Sequence, residues 1–292
     1  VDYLLLVLCL VLLYGSAGTG LNLLVGHCGL LSLAHGALFG LGAYGSAVLC
    51  VCMGLPIPIS LLVGIGLASS LALMLGVLFQ NFRGDVFALL TFGSHLIFLE
   101  VSSNWTQVTN GPEGISSIPR LMLPGINAES NWNLLVAASL VFGTSLLLSF
   151  LLVSAPPARA LLAMRDDVRF AEAVGVDSSR IQRKVFILSG ALCGLSGAYY
   201  AHFVGYLKPS MVDEMLSVLL LAVVIVGGAG SLAGGIAGAI VVVVTPEITR
   251  FIGISGPVAS NIKQMVFGAL LVILMLWKPS GLFGRFDFKD RT

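Results

Sequence analysis

The sequence predicts an all-α integral membrane protein, a polytopic bundle of about 8–10 transmembrane helices, some broken or re-entrant, with one long charged loop on the cytoplasmic side. Three observations carry this. Of 292 residues, 57% are hydrophobic and 10% charged, against roughly 25% charged in a soluble domain, and the mean hydropathy is +1.01. From Tyr3 to Phe82 there is no Asp, Glu, Lys or Arg, which leaves room for about three helices of roughly 20 residues each. Basic residues, finally, are gathered between Ala155 and Lys184, where Arg159, Arg165, Arg169, Arg180, Arg183 and Lys184 lie. Such clusters stay on the cytoplasmic side and orient the spans around them.

In order, the first span runs from Tyr3 to about Leu24 and the second from Leu30 to Cys52, with the glycine-bracketed turn Gly26-His27-Cys28-Gly29 between them. The chain begins Val1-Asp2-Tyr3 directly in an apolar run, so a preceding segment is expected. Pro56 and Pro58 open a third span that ends near Phe79, and Val86 to about Val101 is a fourth, after the polar link Gln80 to Asp85. Residues 104–131 hold three prolines, three glycines and Arg120 alone of the basic residues. This loop is expected outside the cytoplasm, with Trp105 and Trp132 as interfacial anchors at its ends. Trp132 to Val153 leads into the basic loop, where Pro156-Pro157 favours a short helix near Arg159 and a second helical piece around Phe170 to Val174 stops at Gly175.

Beyond that loop, Val185 to Val204, Met215 to Val226, Leu232 to Val244 and about Val258 to Trp277 complete the spans. The tail, 279–292, then falls on the cytoplasmic side with Arg285, Lys289 and Arg291. Arg250 and Lys263 fall near the outer side under this count. The whole of 1–292 reads as one transmembrane domain, and its five cysteines, mostly in apolar runs without a CxxC pair, read as small core residues.

Two interruptions correspond. Gly26 and Gly29 are followed by Ser32 and a small-residue helix; Gly227, Gly228 and Gly230 are followed by Ser231 and another. Paired breaks in two halves of a membrane protein point to a translocation pathway, because backbone freed from helix geometry must line a cavity or be buried in protein. Close helix packing through small residues is the alternative for each glycine taken singly. Among the polar groups inside spans, Asn22, Ser32, His35, Thr91 and Ser231 are the candidate pathway positions, with Ser217 and Thr245 as further second-half counterparts. Asp213 and Glu214 read as a solvated face of the outer connection.

Several chemistries are excluded. There is no GxxxxGK[ST] run, so the chain is not its own ATPase. His27, Cys28 and His35 match no metal-ligand spacing, and Ser32 with His35 lacks the acid and the nucleophile elbow of a hydrolase. A net charge of +1 split between membrane sides makes no nucleic-acid patch. An ion-driven secondary carrier is the other transport class, and it would be expected to keep ionisable groups near mid-membrane.

Taken together, Gly20 to Gly26 with Gly29, Leu31-Ser32-Leu33 and His35, then Gly40 to Tyr44, Arg83-Gly84-Asp85 with Ala88 and Thr91, and Thr109 to Pro112 with Gly114 form an ordered series. It continues through Ala163 to Asp166, Glu172-Ala173 with Gly175, Lys184 with Phe186 and Ser189, Gly194 with Gly197-Ala198, and Gly227 to Ser231. This series resembles the LivM-like permease subunits of bacterial ABC importers for branched-chain amino acids; related permeases for urea and short amides share most of it. The sequence departs from the family pattern after Thr91, where the next acid is Glu100.

The resemblance implies a bacterial inner-membrane transport subunit rather than an enzyme. It implies a homologous second permease subunit in a heterodimer, two cytoplasmic ATPase subunits that use ATP and magnesium, and a periplasmic substrate-binding protein, with no cofactor on this chain. It also implies that Arg165, Asp166, Glu172, Ala173 and Gly175 belong to a coupling loop, 155–184, that docks on the ATPases.

Overall fold

A computed structural model describes residues 2–121, 131–155 and 157–251 and scattered residues between 265 and 284. Most of the expected ninth span and most of the tail lie outside the described residues, as does Lys263. The long helices follow the apolar runs: α1 Asp2–Asn22, α2 His35–Cys52, α3 Ile57–Leu78 and α4 Gly84–Asn104. A four-residue turn, α5 Thr106–Thr109, precedes α6 Asn131–Ser154. The basic loop carries α7 Pro157–Asp166 and α8 Val168–Ala173. The rest of the described fold is α9 Ser178–Val204, α10 Glu214–Gly227 and α11 Leu232–Phe251. Seven of the described helical stretches are long and apolar enough to cross a membrane, and Leu232–Glu247 is a shorter apolar helix.

Three differences from the expected boundaries matter. The second span begins as helix only at His35, because residues 29–34 are unwound. The basic loop ends as a loop at Asp177, whose carboxylate accepts from Arg180 N–H at 2.9 Å and caps α9. Ser178 to Lys184 are therefore the first turns of a crossing helix. Asp213 caps α10 in the same way, accepting from Leu216 N–H at 3.3 Å, so it has a structural task beyond the solvated face expected for it.

The centre is α9, which packs against α1, α2 and α3. Hydrophobic burial does not drive helices together in lipid, so close approach through small residues must supply the contact. Here Gly197 lies under the carbonyl of Phe39, Gly42 against Gly194, and Gly190 against Ala72, none with room for a Cβ. On the outer flanks, α3, α4 and α6 present large apolar side chains such as Leu62, Leu89, Ile97 and Leu140 outward, as lipid-facing helices do. Opposite the basic loop, a backbone bridge joins Ile115 to Leu207 and His202 Nδ1 donates to Pro119 O at 2.7 Å. These contacts tie residues 115–119 to the end of α9.

Candidate functional site

Half-way through the bundle two helices begin. His35, the first residue of α2, sits beside the mid-point of α9: its Nε2 is 2.7 Å from Ser189 Oγ, and Cys193 Sγ donates to its carbonyl at 3.1 Å. Ser189 spends its own proton on Gly20 O at 2.6 Å, so the imidazole donates from Nε2, while its Nδ1 lies 3.1 Å from Ser32 Oγ. Both ring nitrogens are thus engaged.

From the other direction, α10 starts at Glu214 at the level of His95, close to the mid-point of α4. His95 Nε2 donates to Val212 O at 3.1 Å, and its Nδ1 lies 2.7 Å from Ser217 Oγ. The Ser217 hydroxyl accepts from Gly36 N–H at 2.9 Å and lies 2.7 Å from Leu33 O. Thr91 Oγ1 accepts from Leu33 N–H at 3.0 Å. Side chains from α4 and α10 therefore satisfy backbone groups that the unwound stretch before α2 cannot satisfy itself, as the membrane interior requires. Gly36 and Gly40 make the space, for a Cβ on either would strike His95 or Phe98. Beside this junction an apolar crevice of about 460 Å³ lies between α2, α3 and α4, walled by Leu41, Val63, Leu67, Phe98 and Trp105.

The two predicted breaks meet at the end of the bundle nearest α7. After Asn22 the first helix widens into a π-helical turn, Leu23–Cys28, closed by Gly29 at φ 67°. The Asn22 carboxamide bridges to the second break, donating from Nδ2 to Ser231 O at 2.8 Å and accepting Gly230 N–H at Oδ1 at 2.9 Å. Gly26 lies so near Gly230 that a Cβ would overlap the Gly230 backbone and Asn22 Oδ1. Arg165 of α7 donates to the carbonyl of Gly26. Gly227 and Gly228 are covered in turn: Leu282 N–H donates to Val226 O and Phe283 N–H to Gly227 O, both at 2.9 Å, and Gly284 lies against Gly228.

Of the candidate coupling residues, Arg165, Asp166 and Glu172 line a polar cleft of about 700 Å³ together with Gln80, Asn81 and Arg83, among others, and Ala173 and Gly175 do not. Glu172 accepts from Ser178 Oγ and pairs at 3.9 Å with Arg83, so α8 is fastened both to α9 and to the link before α4. Ala173 ends α8 and is exposed; Gly175 follows at φ 91° with open space where a Cβ would stand. Phe170 and Val174 are also exposed, at 66% and 64%.

The structure thus joins Asn22 to Ser231 at one place, and gathers Ser32, His35 and Thr91 about the unwound stretch before α2 at another. The sequence assigns no site role to Arg83, Phe170, Val174 or His95; Ser217, named there as a second-half counterpart, is found at the mid-bundle junction. The signal of the unassigned residues was faint: an intramembrane His is one of many polar groups, and two apolar residues in a charged loop look like ordinary helix filler. Among the described residues no group of three or more His, Cys, Asp or Glu could hold a metal ion.

Residues 3–275 match the model of the branched-chain amino acid transport system permease component family. The high-affinity branched-chain amino acid transport system permease protein LivM of Escherichia coli K12 is 31% identical over 296 residues, covering 94% of this chain and 68% of its own length. LivH of Salmonella typhimurium, a permease protein of the same description, is 23% identical and covers 93% of this chain and 91% of its own. BraD of Pseudomonas aeruginosa is also 23% identical, with 93% and 92% covered. No solved structure matches the chain. A family model spanning nearly the whole sequence, and a relative of this identity over nearly all of it, make the chain a member of the branched-chain amino acid transport permease family.

Proposed function

We propose that the chain is a transmembrane permease subunit of an ATP-binding cassette importer that moves branched-chain or other hydrophobic amino acids across a bacterial inner membrane. It acts with a homologous second permease subunit, two cytoplasmic ATPase subunits that bind and hydrolyse ATP with magnesium, and a periplasmic binding protein. The chain itself catalyses no covalent reaction. The observation that carries this is the segment 157–177, where exposed Phe170 and Val174 sit among Arg165, Asp166, Arg169 and Glu172 on two short helices. An apolar pair within a charged rim is the composition of a protein interface. Its basic residues support a cytoplasmic side for that end, and for the C-terminus with it. A heterodimer is supported by the occurrence of LivM and LivH, two differently named permease proteins, in the same Salmonella strain.

Alternating access has a physical basis in the mid-bundle junction. Where α2 and α10 begin, side-chain hydroxyls and His95 replace main-chain helix bonds, and such bonds can be exchanged without unwinding a helix. Asn22, Ser32, His35, Thr91 and Ser231 flank the route that opens as the two halves part. Permease contacts with substrate need only be weak, since affinity can reside in the binding protein.

The test is purification in mild detergent followed by reconstitution. An ATPase subunit is expected in fixed ratio, with hydrolysis stimulated by a binding protein loaded with leucine. Stimulation by a urea-loaded protein in its place would move the substrate to short amides. Uptake without ATP by the chain alone would replace the importer with an ion-driven carrier.

A further inference from the structure

We infer that the two glycine breaks form a single gate at the ATPase-facing end, latched by Asn22, and that Arg165 is the positioning residue through which α7 moves it; the inference rests on the importer reading above. Four segments meet at this point: the π-helical turn Leu23–Cys28, the loop 228–231, the start of the tail at 281–284, and α7. They come from distant parts of the sequence, and glycine backbone forms much of their contact: Gly26 against Gly230, Gly227 against Gly234, Gly228 against Gly284.

A contact made by glycines brings two backbones together with no side chains interlocked between them, so it closes tightly and no side chain has to be withdrawn when it parts. What holds the first break to the second is directional: the two bonds of the Asn22 carboxamide, at 2.8 and 2.9 Å. A buried amide with one donor and one acceptor engaged on the same foreign loop is a clasp. Its release lets the π-helical turn and the loop 228–231 separate.

Arg165 supplies the pull. It is half-buried on α7, within the segment assigned to ATPase docking, and its guanidinium donates to the carbonyl of Gly26, which has no room for a Cβ against Gly230. A carbonyl in a widened turn can follow a cation that moves, because the surrounding ladder is already irregular. A shift of α7 is thereby applied to the residue that abuts Gly230. Beside it Cys28 is buried at 4% exposure, so its thiol becomes reachable when the turn moves.

The experiment uses the reconstituted complex and reads modification of Cys28 by a small membrane-permeant maleimide, quantified by mass spectrometry, alongside uptake. In the wild type, Cys28 is protected without ATP and labelled during turnover. Asn22→Ala should label about ten-fold faster without ATP, the factor expected from losing bonds of this kind. Should that variant fail to accumulate, Asn22→Asp keeps an acceptor for Gly230 N–H but sets a second carboxylate oxygen against Ser231 O, and should likewise raise labelling without ATP. Arg165→Ala should abolish the ATP-dependent change in labelling and lower uptake at least about ten-fold, with Arg165→Lys, which can still donate to Gly26 O, recovering part of both. ATP-dependent labelling at the wild-type rate in Arg165→Ala, or full protection of Cys28 in both Asn22 variants, overturns the gate while leaving the importer intact. A wild-type complex without ATP-dependent uptake removes the importer reading and the gate with it.

Discussion

Replacing Ser217 by Ala tests the mid-bundle junction most directly, since one hydroxyl serves three partners there. Its oxygen accepts from Gly36 N–H at 2.9 Å and stands 2.7 Å from both Leu33 O and His95 Nδ1. Alanine fits the same space, so packing is nearly unchanged and the loss is polar. The Gly36 donor and the Leu33 acceptor are left in a buried site, at about 1–3 kcal/mol each. Even the low end of their sum, about 2 kcal/mol, is a factor of roughly thirty in an equilibrium. For a chain of this size it corresponds to a fall of at least about 3 °C in the unfolding midpoint. Thermal unfolding of the purified complex, followed by tryptophan fluorescence, should show that fall for Ser217→Ala and a smaller one for Ser217→Thr, which keeps the hydroxyl. Uptake should decline in the same order. Were Ser217→Ala to melt and transport like the wild type, the claim that this hydroxyl supports the start of α2 would be wrong.

Glu172→Arg breaks the pair with Arg83 and the bond from Ser178; uptake should be lost while membrane expression, read by immunoblot, stays at the wild-type level. Phe170→Asp puts a charge on an exposed apolar contact and should reduce the ATPase recovered with the purified permease at least about five-fold, as loss of about 1 kcal/mol or more at an interface does. Gly175→Leu meets no neighbour within this chain, yet its φ of 91° disfavours a side chain by about 1–2 kcal/mol. The variant should accumulate normally and fail in ATP-driven uptake. Gly197→Val drives a Cβ into the Phe39 carbonyl between α2 and α9 and should abolish stable accumulation, checked by size-exclusion chromatography of a fluorescent fusion.

How much of this was legible follows from what each signal encodes. Apolar runs report the segments that lie in lipid, so α1, α3, α4 and α6 could be placed within a few residues, whereas the polar first turns of α9, Ser178 to Lys184, were hidden in the basic loop. The signs of the loop charges report sidedness, and the doubled proline and Gly175 bounded the short helices of the basic loop. Depth is not written in hydropathy. Leu30 to Ala34 are as apolar as the helix that follows, so nothing in their composition shows that the chain stays unwound until His35, or that Glu214 starts a helix level with His95. Contacts such as Arg83 to Glu172 or Asn22 to Gly230 join residues far apart in sequence, and no periodicity records them.

The correspondence between the glycine breaks was legible, but its meaning changed once the chain was folded. Taken as sequence, the clusters are two places where a helix fails, and each failure leaves polar backbone to be satisfied. In the structure the two failures satisfy one another, through the Asn22 carboxamide and through Arg165 from outside the helices. The unwound stretch after the first break is satisfied separately, by Thr91 from α4 and Ser217 from α10. Side chains from several helices thus hold the irregular backbone of α1, α2 and α10, and every such bond can be exchanged for another. A bundle of continuous helices would resist a push at α7 as a rigid body. Helices that stop half-way and are joined by hydroxyls and amides can divide along those joints, and α7 is attached at one of them.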